Sequence, residues 1–104
     1  MPKAYWVVHA DVHHPEPYAD YVQANAAAFK KFGGRFLVRG GAFTVVEGSS
    51  PRQRNVVVEF PSYQAAQDCW HSAEYQDARA HRLNAAEFDV VIVEGYDGPQ
   101  PAAT

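Results

Sequence analysis

Three short segments, YWVVHADV (residues 5–12), NVVVEF (55–60) and FDVVIVE (88–94), constrain this chain most. Each is rich in β-branched and aromatic residues, and each reads as a strand. In a sheet with one wet face, apolar and polar side chains should alternate. These do not alternate cleanly. Val90 and Ile92 point one way while Val91 and Val93 point the other, Val56 and Val58 oppose Val57, and Trp6 and Val8 oppose Tyr5 and Val7. A sheet of such strands has two apolar faces to cover. A bare second face would be a larger patch than most monomers carry.

Helical stretches supply one cover. His14-Pro15-Glu16-Pro17 marks a helix start, because proline suits the first turn and Glu16 complements the positive end of the helix dipole. Tyr18, Tyr21, Val22, Ala26, Phe29 and Phe32 follow at helical spacing, and Gly33-Gly34 ends the run. Phe36–Arg39 and Phe43–Glu47 read as two strand segments, with a bulge or sharp bend at Gly40-Gly41 between them. Gly48–Arg54 is a polar turn. Ser62 is placed to cap a second helix, and Ser72 a further one running to about Ala86. The order is β-α-β-β-α-β, the split arrangement of the ferredoxin-like fold, an α+β class with its helices on one face of an antiparallel sheet. The other face then needs a cover, and for a chain of 104 residues a second copy related by two-fold symmetry is the economical one. A homodimer is expected.

The composition narrows the partners. A net charge of −3 argues against nucleic acid or an anionic membrane, both of which reward a basic face. No apolar run approaches the roughly 20 residues of a membrane span. The start, Met-Pro-Lys-Ala, runs straight into a strand without the apolar stretch of a signal peptide, and the single cysteine, Cys69, has no internal disulfide partner. These features point to a soluble cytoplasmic protein. It is expected to form one ferredoxin-like domain over residues 1–95, with a loosely ordered Gly/Pro/Ala tail over 96–104.

The stretches YWVVHADV, NAAAFKKFGGRFLVRGG, VVEG, VVVEFPSYQAAQDCWHSAEYQ and DVVIVEG carry a family likeness. On them the chain resembles the uncharacterised family named domain of unknown function 1330, within the dimeric α+β barrel superfamily. The resemblance implies a ferredoxin-like protomer whose sheet packs on that of its partner, and it implies no activity. His14 stands where the family commonly has an aspartate, and Phe88 where it has a small or polar residue.

Candidate site residues follow from the same alternation. If Trp6, Val8 and Ala10 face the helices, then His9 faces away from them, and so does Glu59 on the neighbouring strand. An imidazole near a carboxylate suits proton transfer near neutral pH, which makes His9 and Glu59 the candidate catalytic pair. They could equally hydrogen-bond each other in a wet interface. Arg39 closes a strand just before a glycine bend, where its planar guanidinium suits a carboxylate on a ligand. The structural alternative for Arg39 is an ion pair with Glu47 or Glu59. Asn25 is a poor helix former on the edge of the apolar stripe, which calls for a specific hydrogen bond. Tyr75 and Arg82, seven apart, share a face of the last helix, and both match the family likeness. For Arg82 a bond to a strand or loop carbonyl is the structural reading. Arg39, Asn25, Tyr75 and Arg82 are the candidate ligand-binding residues. Trp6 and Trp70 read as core or interface.

No metal is expected, since the five histidines show no ligand spacing and Cys69 stands alone. No cofactor motif or phosphate loop is present. Three functions stay open: a binder of a small molecule, an anion included, at the sheet face or dimer interface; a cofactor-independent isomerase or monooxygenase with His9 as base; or a structural or regulatory dimer without a ligand.

Overall fold

The computed structural model describes residues 2–49 and 52–103. Strand β1 (Ala4–Val12) leads into helix α1 (Pro15–Phe32), which returns through Gly33 to β2 (Arg35–Arg39). After the connection come β3 (Arg54–Phe60), helices α2 (Tyr63–His71) and α3 (Ala73–Ala80), and β4 (Ala86–Glu94). A short 3₁₀ turn spans Pro101–Ala103. The four strands form one antiparallel sheet in the order β2-β3-β1-β4, so the fold is α+β and ferredoxin-like.

The expected caps form. Pro15 opens α1, while His14 at its N-cap makes no side-chain bond to the helix, as an imidazole in place of a carboxylate would suggest. Gly33 closes α1 in the left-handed conformation at φ 75°. Ser62 accepts from the Ala65 amide at 3.0 Å and Ser72 from the Tyr75 amide at 3.1 Å, which divides the second helical stretch into two.

The core lies between α1–α3 and one sheet face, with Trp6 at its centre. Its ring meets Phe29, Phe60, Trp70 and Tyr75 at centroid distances of 5.3, 5.2, 5.8 and 4.8 Å. Its indole nitrogen donates to the Ala66 carbonyl at 3.0 Å, which satisfies the one polar atom so large a buried side chain carries. Along β1, Ala4, Trp6, Val8 and Ala10 are buried and the intervening residues are half-buried, as strict alternation demands.

Three expectations need correction. Phe43–Glu47 is not a strand; it makes no ladder with any described segment, and Val46 is 92% exposed. The cause is topological: β3 already has β1 and β2 as neighbours, and among the described residues no further strand lies beyond β2. The last helix stops at Ala80 rather than Ala86, and β4 begins at Ala86 rather than Phe88. Residues 81–85 form a turn instead, held where the amides of Ala85 and Ala86 both donate to the Arg82 carbonyl at 3.0 Å. Finally, β2 bulges at Leu37, ahead of the glycine pair. The turn expected over Gly48–Arg54 includes Ser50 and Pro51, which lie outside the described residues.

The far face of the sheet carries the apolar side chains anticipated from the sequence. Val91 is 58% exposed, Val93 and Leu37 are also exposed, and Tyr5, Val7 and Val57 are half-buried beside them.

Candidate functional site

A slot opens between α1 and the helix-facing side of the sheet, about 390 Å³ out to its mouth, with about 30 Å³ of free space at its heart. The larger figure includes open solvent; the free space itself holds a water or two and falls well below the usual small-molecule site of about 300–1,000 Å³, so an organic occupant requires the walls to move apart. Its wall from α1 is the apolar stripe itself, including Tyr18, Tyr21 and Phe29, with Asn25 among them. The sheet contributes Phe36, Arg39, Arg54 and Phe88.

The bulge at Leu37 is what turns Arg39 into the slot. Phe36 lies opposite Val58, and two residues on β2 then answer to Val57, so that Arg39 falls opposite Val56. Directly paired residues share a sheet face. Val56 and Val58 both line the slot, and so therefore do Phe36 and Arg39. Without the extra residue, Arg39 would stand three places from Phe36 in a period-two strand and face the other way. The Arg39 guanidinium in fact lies 4.3 Å above the Phe36 ring centre.

Gly40 does the complementary job for Arg54. Its backbone is left-handed at φ +72°, and a Cβ there would lie 2.2 Å from an Arg54 terminal nitrogen. The guanidinium of Arg54 occupies the room a side chain would take, 6.0 Å from the Tyr18 ring centre. A third guanidinium, that of Arg82, sits behind the wall. Arg82 is only 4% exposed and lies 3.9 Å over Phe88 and 5.2 Å from the Tyr21 ring centre. It donates to the Tyr75 hydroxyl at 3.1 Å, which in turn lies 2.9 Å from the Tyr21 hydroxyl.

No carboxylate lines the slot, and among the described residues none lies in ion-pair reach of Arg39, Arg54 or Arg82. Two polar atoms of lining residues are buried without a hydrogen-bond partner: the Asn25 side-chain oxygen and the Arg54 Nε. Burial pushes the Tyr21 hydroxyl well above its ordinary pKa, with the Tyr75 hydroxyl adding to the effect and Arg82 and the Asn25 amide opposing it. Burial also raises Tyr18, against the nearby Arg54 charge. Neither phenol ionises near neutral pH.

The candidate residues therefore separate into two groups. Arg39, Asn25, Tyr75 and Arg82 come together, at the slot or directly behind it. Arg82 lies in the turn after α3 rather than on the helix, and it bonds to a tyrosine hydroxyl rather than to a carbonyl. His9 and Glu59 do not come together. His9 Nδ1 bonds to Asn55 Oδ1 at 2.8 Å, whereas Glu59 pairs with Lys3 at 3.2 Å and more loosely with Arg35 at 3.9 Å. In the β1–β3 register Glu59 is opposite Tyr5 and His9 opposite Asn55, four places along, or about 13 Å. The sequence reading missed Arg54, Tyr18, Tyr21 and Phe88 as site residues. The sequence reading places Arg54 in a turn, and its position at the edge of an apolar strand is the available signal.

Among the described residues, no three of His, Cys, Asp and Glu gather as metal ligands. Cys69 is fully buried, its thiol pushed up to about 12 chiefly by burial, so it has no nucleophilic character. No helix is long and apolar enough to cross a membrane.

Known structures share this fold at low identity. RPA0582, a protein of unknown function from Rhodopseudomonas palustris, is 18% identical over 93% of this chain and 85% of its own, with a TM-score of 0.69. SnoaB, a cofactor-independent oxygenase from Streptomyces nogalater, is 12% identical over 97% and 99%, with a TM-score of 0.61. A putative antibiotic biosynthesis monooxygenase from Nitrosomonas europaea is 17% identical over 93% and 94%, with a TM-score of 0.55. Among curated proteins none matches the chain. The family described as Domain of unknown function (DUF1330) matches residues 3–96, and the chain belongs to it.

Proposed function

We propose that this protein is a homodimer that binds a small organic anion in the slot between α1 and the sheet. One observation carries the reading: guanidinium groups from Arg39 and Arg54 enter an aromatic-walled slot, Arg82 is buried behind it, and no carboxylate answers them. Arg39 is exposed and Arg54 half-buried, so both are open to a ligand's charge, while the buried Arg82, without a counter-ion, is the cation whose cost an anion from outside would relieve. Arg39 and Arg54 are the residues that hold the ligand's charge, with Arg82 adding field through the Phe88 wall. The apolar outer face of the sheet supports self-association, and the lone buried thiol suits a reducing compartment such as the cytoplasm.

The likeness to SnoaB favours a second reading, in which the slot is a catalytic chamber. The slot's own side chains support binding better. Its phenols are held above their ordinary range, a guanidinium does not act as a base near neutral pH, and the His9–Glu59 pair is not assembled.

Isothermal titration with benzoate and with benzamide, its neutral counterpart of similar shape, tests the proposal. Benzoate should bind at least about tenfold more tightly than benzamide, and Arg54→Ala should weaken benzoate by about tenfold, the loss of one charge-assisted bond. Equal affinities for the two, or no binding of benzoate, would overturn the reading and leave a structural dimer without a ligand.

A further inference from the structure

Residues 42–47 (AFTVVE) continue from Gly41 without a turn or bend as far as Val46. Among the described residues no backbone hydrogen bond reaches any of them, and Phe43, Val45 and Val46 stand exposed. Extended chain of this composition suits a sheet, and its own subunit offers it none.

The far edge of the sheet has the opposite lack. Strand β4 is nine residues long, pairs with β1 throughout without a bulge, and has no strand on its other side. Alternate amides and carbonyls along it therefore point outward without a ladder. Natural edges are blunted by brevity, bulges, proline or charge. The β2 edge is protected in this way, with five residues, a bulge at Leu37 and an arginine at each end. On β4 the charges of Glu87, Asp89 and Glu94 leave Val90–Val93 clear, four residues apolar on both faces. Beside that stretch, between β4 and α2, runs a groove of about 330 Å³ lined by Gln67, Trp70, His71, Val90 and Ile92.

The unpaired segment and the bare edge cannot meet within one chain. Gly40 still donates to the Asn55 carbonyl of β3 at 2.9 Å, and the three residues from there to Phe43 span at most about 10 Å. A strand laid outside β4 would lie four strand spacings from β2, about 19 Å. A second copy is under no such restriction. Two-fold symmetry makes the exchange mutual, so the pair closes on itself instead of growing into a fibre. Strand addition to an edge draws specificity from alternate side chains, and period two sets Phe43 and Val45 together on one side of the segment. They are the more apolar pair and match the groove.

We infer that residues 42–47 of each subunit add as a strand to the β4 edge of the other, with Phe43 and Val45 over the groove beside Trp70 and Ile92. The inference rests on the homodimer reading above and names the segments that join the two copies. Hydrogen exchange on the full-length dimer is the first test. Alternate amides of residues 42–47, and the outward-pointing amides of Val90–Val93, should exchange at least about a hundredfold more slowly than unstructured chain. Thr44→Pro and Val45→Pro supply the second. Neighbouring amides of a strand point to opposite sides, so one of these variants must lose a ladder bond in each half of the dimer. That variant should raise the dimer dissociation constant at least about tenfold in sedimentation. Both positions are exposed, so each variant should keep the parent's circular dichroism. A parent dimer whose 42–47 amides exchange at the unstructured rate would overturn this inference and leave a dimer joined by its sheet faces alone. So would parent-like dimerisation of both proline variants. A monomeric parent would overturn the homodimer reading as well.

Discussion

Gly40 and Arg54 divide one small volume between them. A Cβ at position 40 would press on the far end of the Arg54 side chain, which is free to swing aside, but the positive φ would remain strained. Gly40→Ala should therefore cost about 1–2 kcal/mol, the usual penalty for a left-handed residue with a Cβ. It should also weaken benzoate binding several-fold by displacing the guanidinium. Urea denaturation and calorimetry separate the two effects. Trp6 makes the contrasting case, with no part in charge. Its ring touches four other aromatic rings and its nitrogen is satisfied by Ala66, so Trp6→Ala should lose about 3–5 kcal/mol in denaturant titration. For a chain of this length that is a large part of the total, and the variant should be unfolded or nearly so at 37 °C.

At the scale of elements, the site depends on an irregular strand. Exchanging two neighbours on β2 (Val38→Arg together with Arg39→Val) keeps the composition but moves the charge opposite Val57, on the outer face. Benzoate affinity should fall about as far as in Arg39→Ala, and a preserved affinity would mean the bulge does not aim this residue. The connection into β3 is fastened by Arg52, which bonds to Asp11, Glu87 and Asp89 at 3.0, 2.9 and 2.8 Å. Asp11 also accepts from the Gln53 amide at 2.8 Å, and this bond first, then Arg52, holds its carboxyl below the ordinary 3.8. A depressed folded-state value means that the stabilisation is present above pH 3.8 and fades as the pH falls below it toward the folded value. Thermal melts should show Asp11→Asn less stable than the parent at pH 6, with the difference closing below pH 3.8. The elements themselves were legible in the sequence. Proline and glycine bounded α1, Ser62 and Ser72 marked their caps, and apolar strands without alternation foretold a sheet with two apolar faces. The face of Arg39 was not legible, because a bulge leaves no mark at Leu37, an ordinary strand residue. Nor was the separation of His9 from Glu59, since a face is read from alternation but position along it needs the register of two strands.

For the molecule as a whole, the radius of gyration of 14.8 Å exceeds the roughly 13 Å expected of a globular chain this long. The excess fits the exposed Phe43–Val46 stretch and the thinness of a sheet covered on one side only, with a shortest dimension of 16 Å. If a second copy covers that face, sedimentation velocity should give a dimer for the parent and a monomer for Val91→Lys, Val93→Lys, with helical content preserved. A monomeric parent would refute the two-face argument. Cys69, 0% exposed and the chain's only thiol, has a use beyond packing. A thiol reagent can reach it only when the core opens, so its labelling rate counts openings without any introduced probe. A ligand that binds only the closed protein should slow that rate by the factor 1 + [L]/Kd when reclosing outpaces labelling. The buried sulfur thereby makes the protein its own binding assay, one able to weigh candidate ligands without an activity to follow.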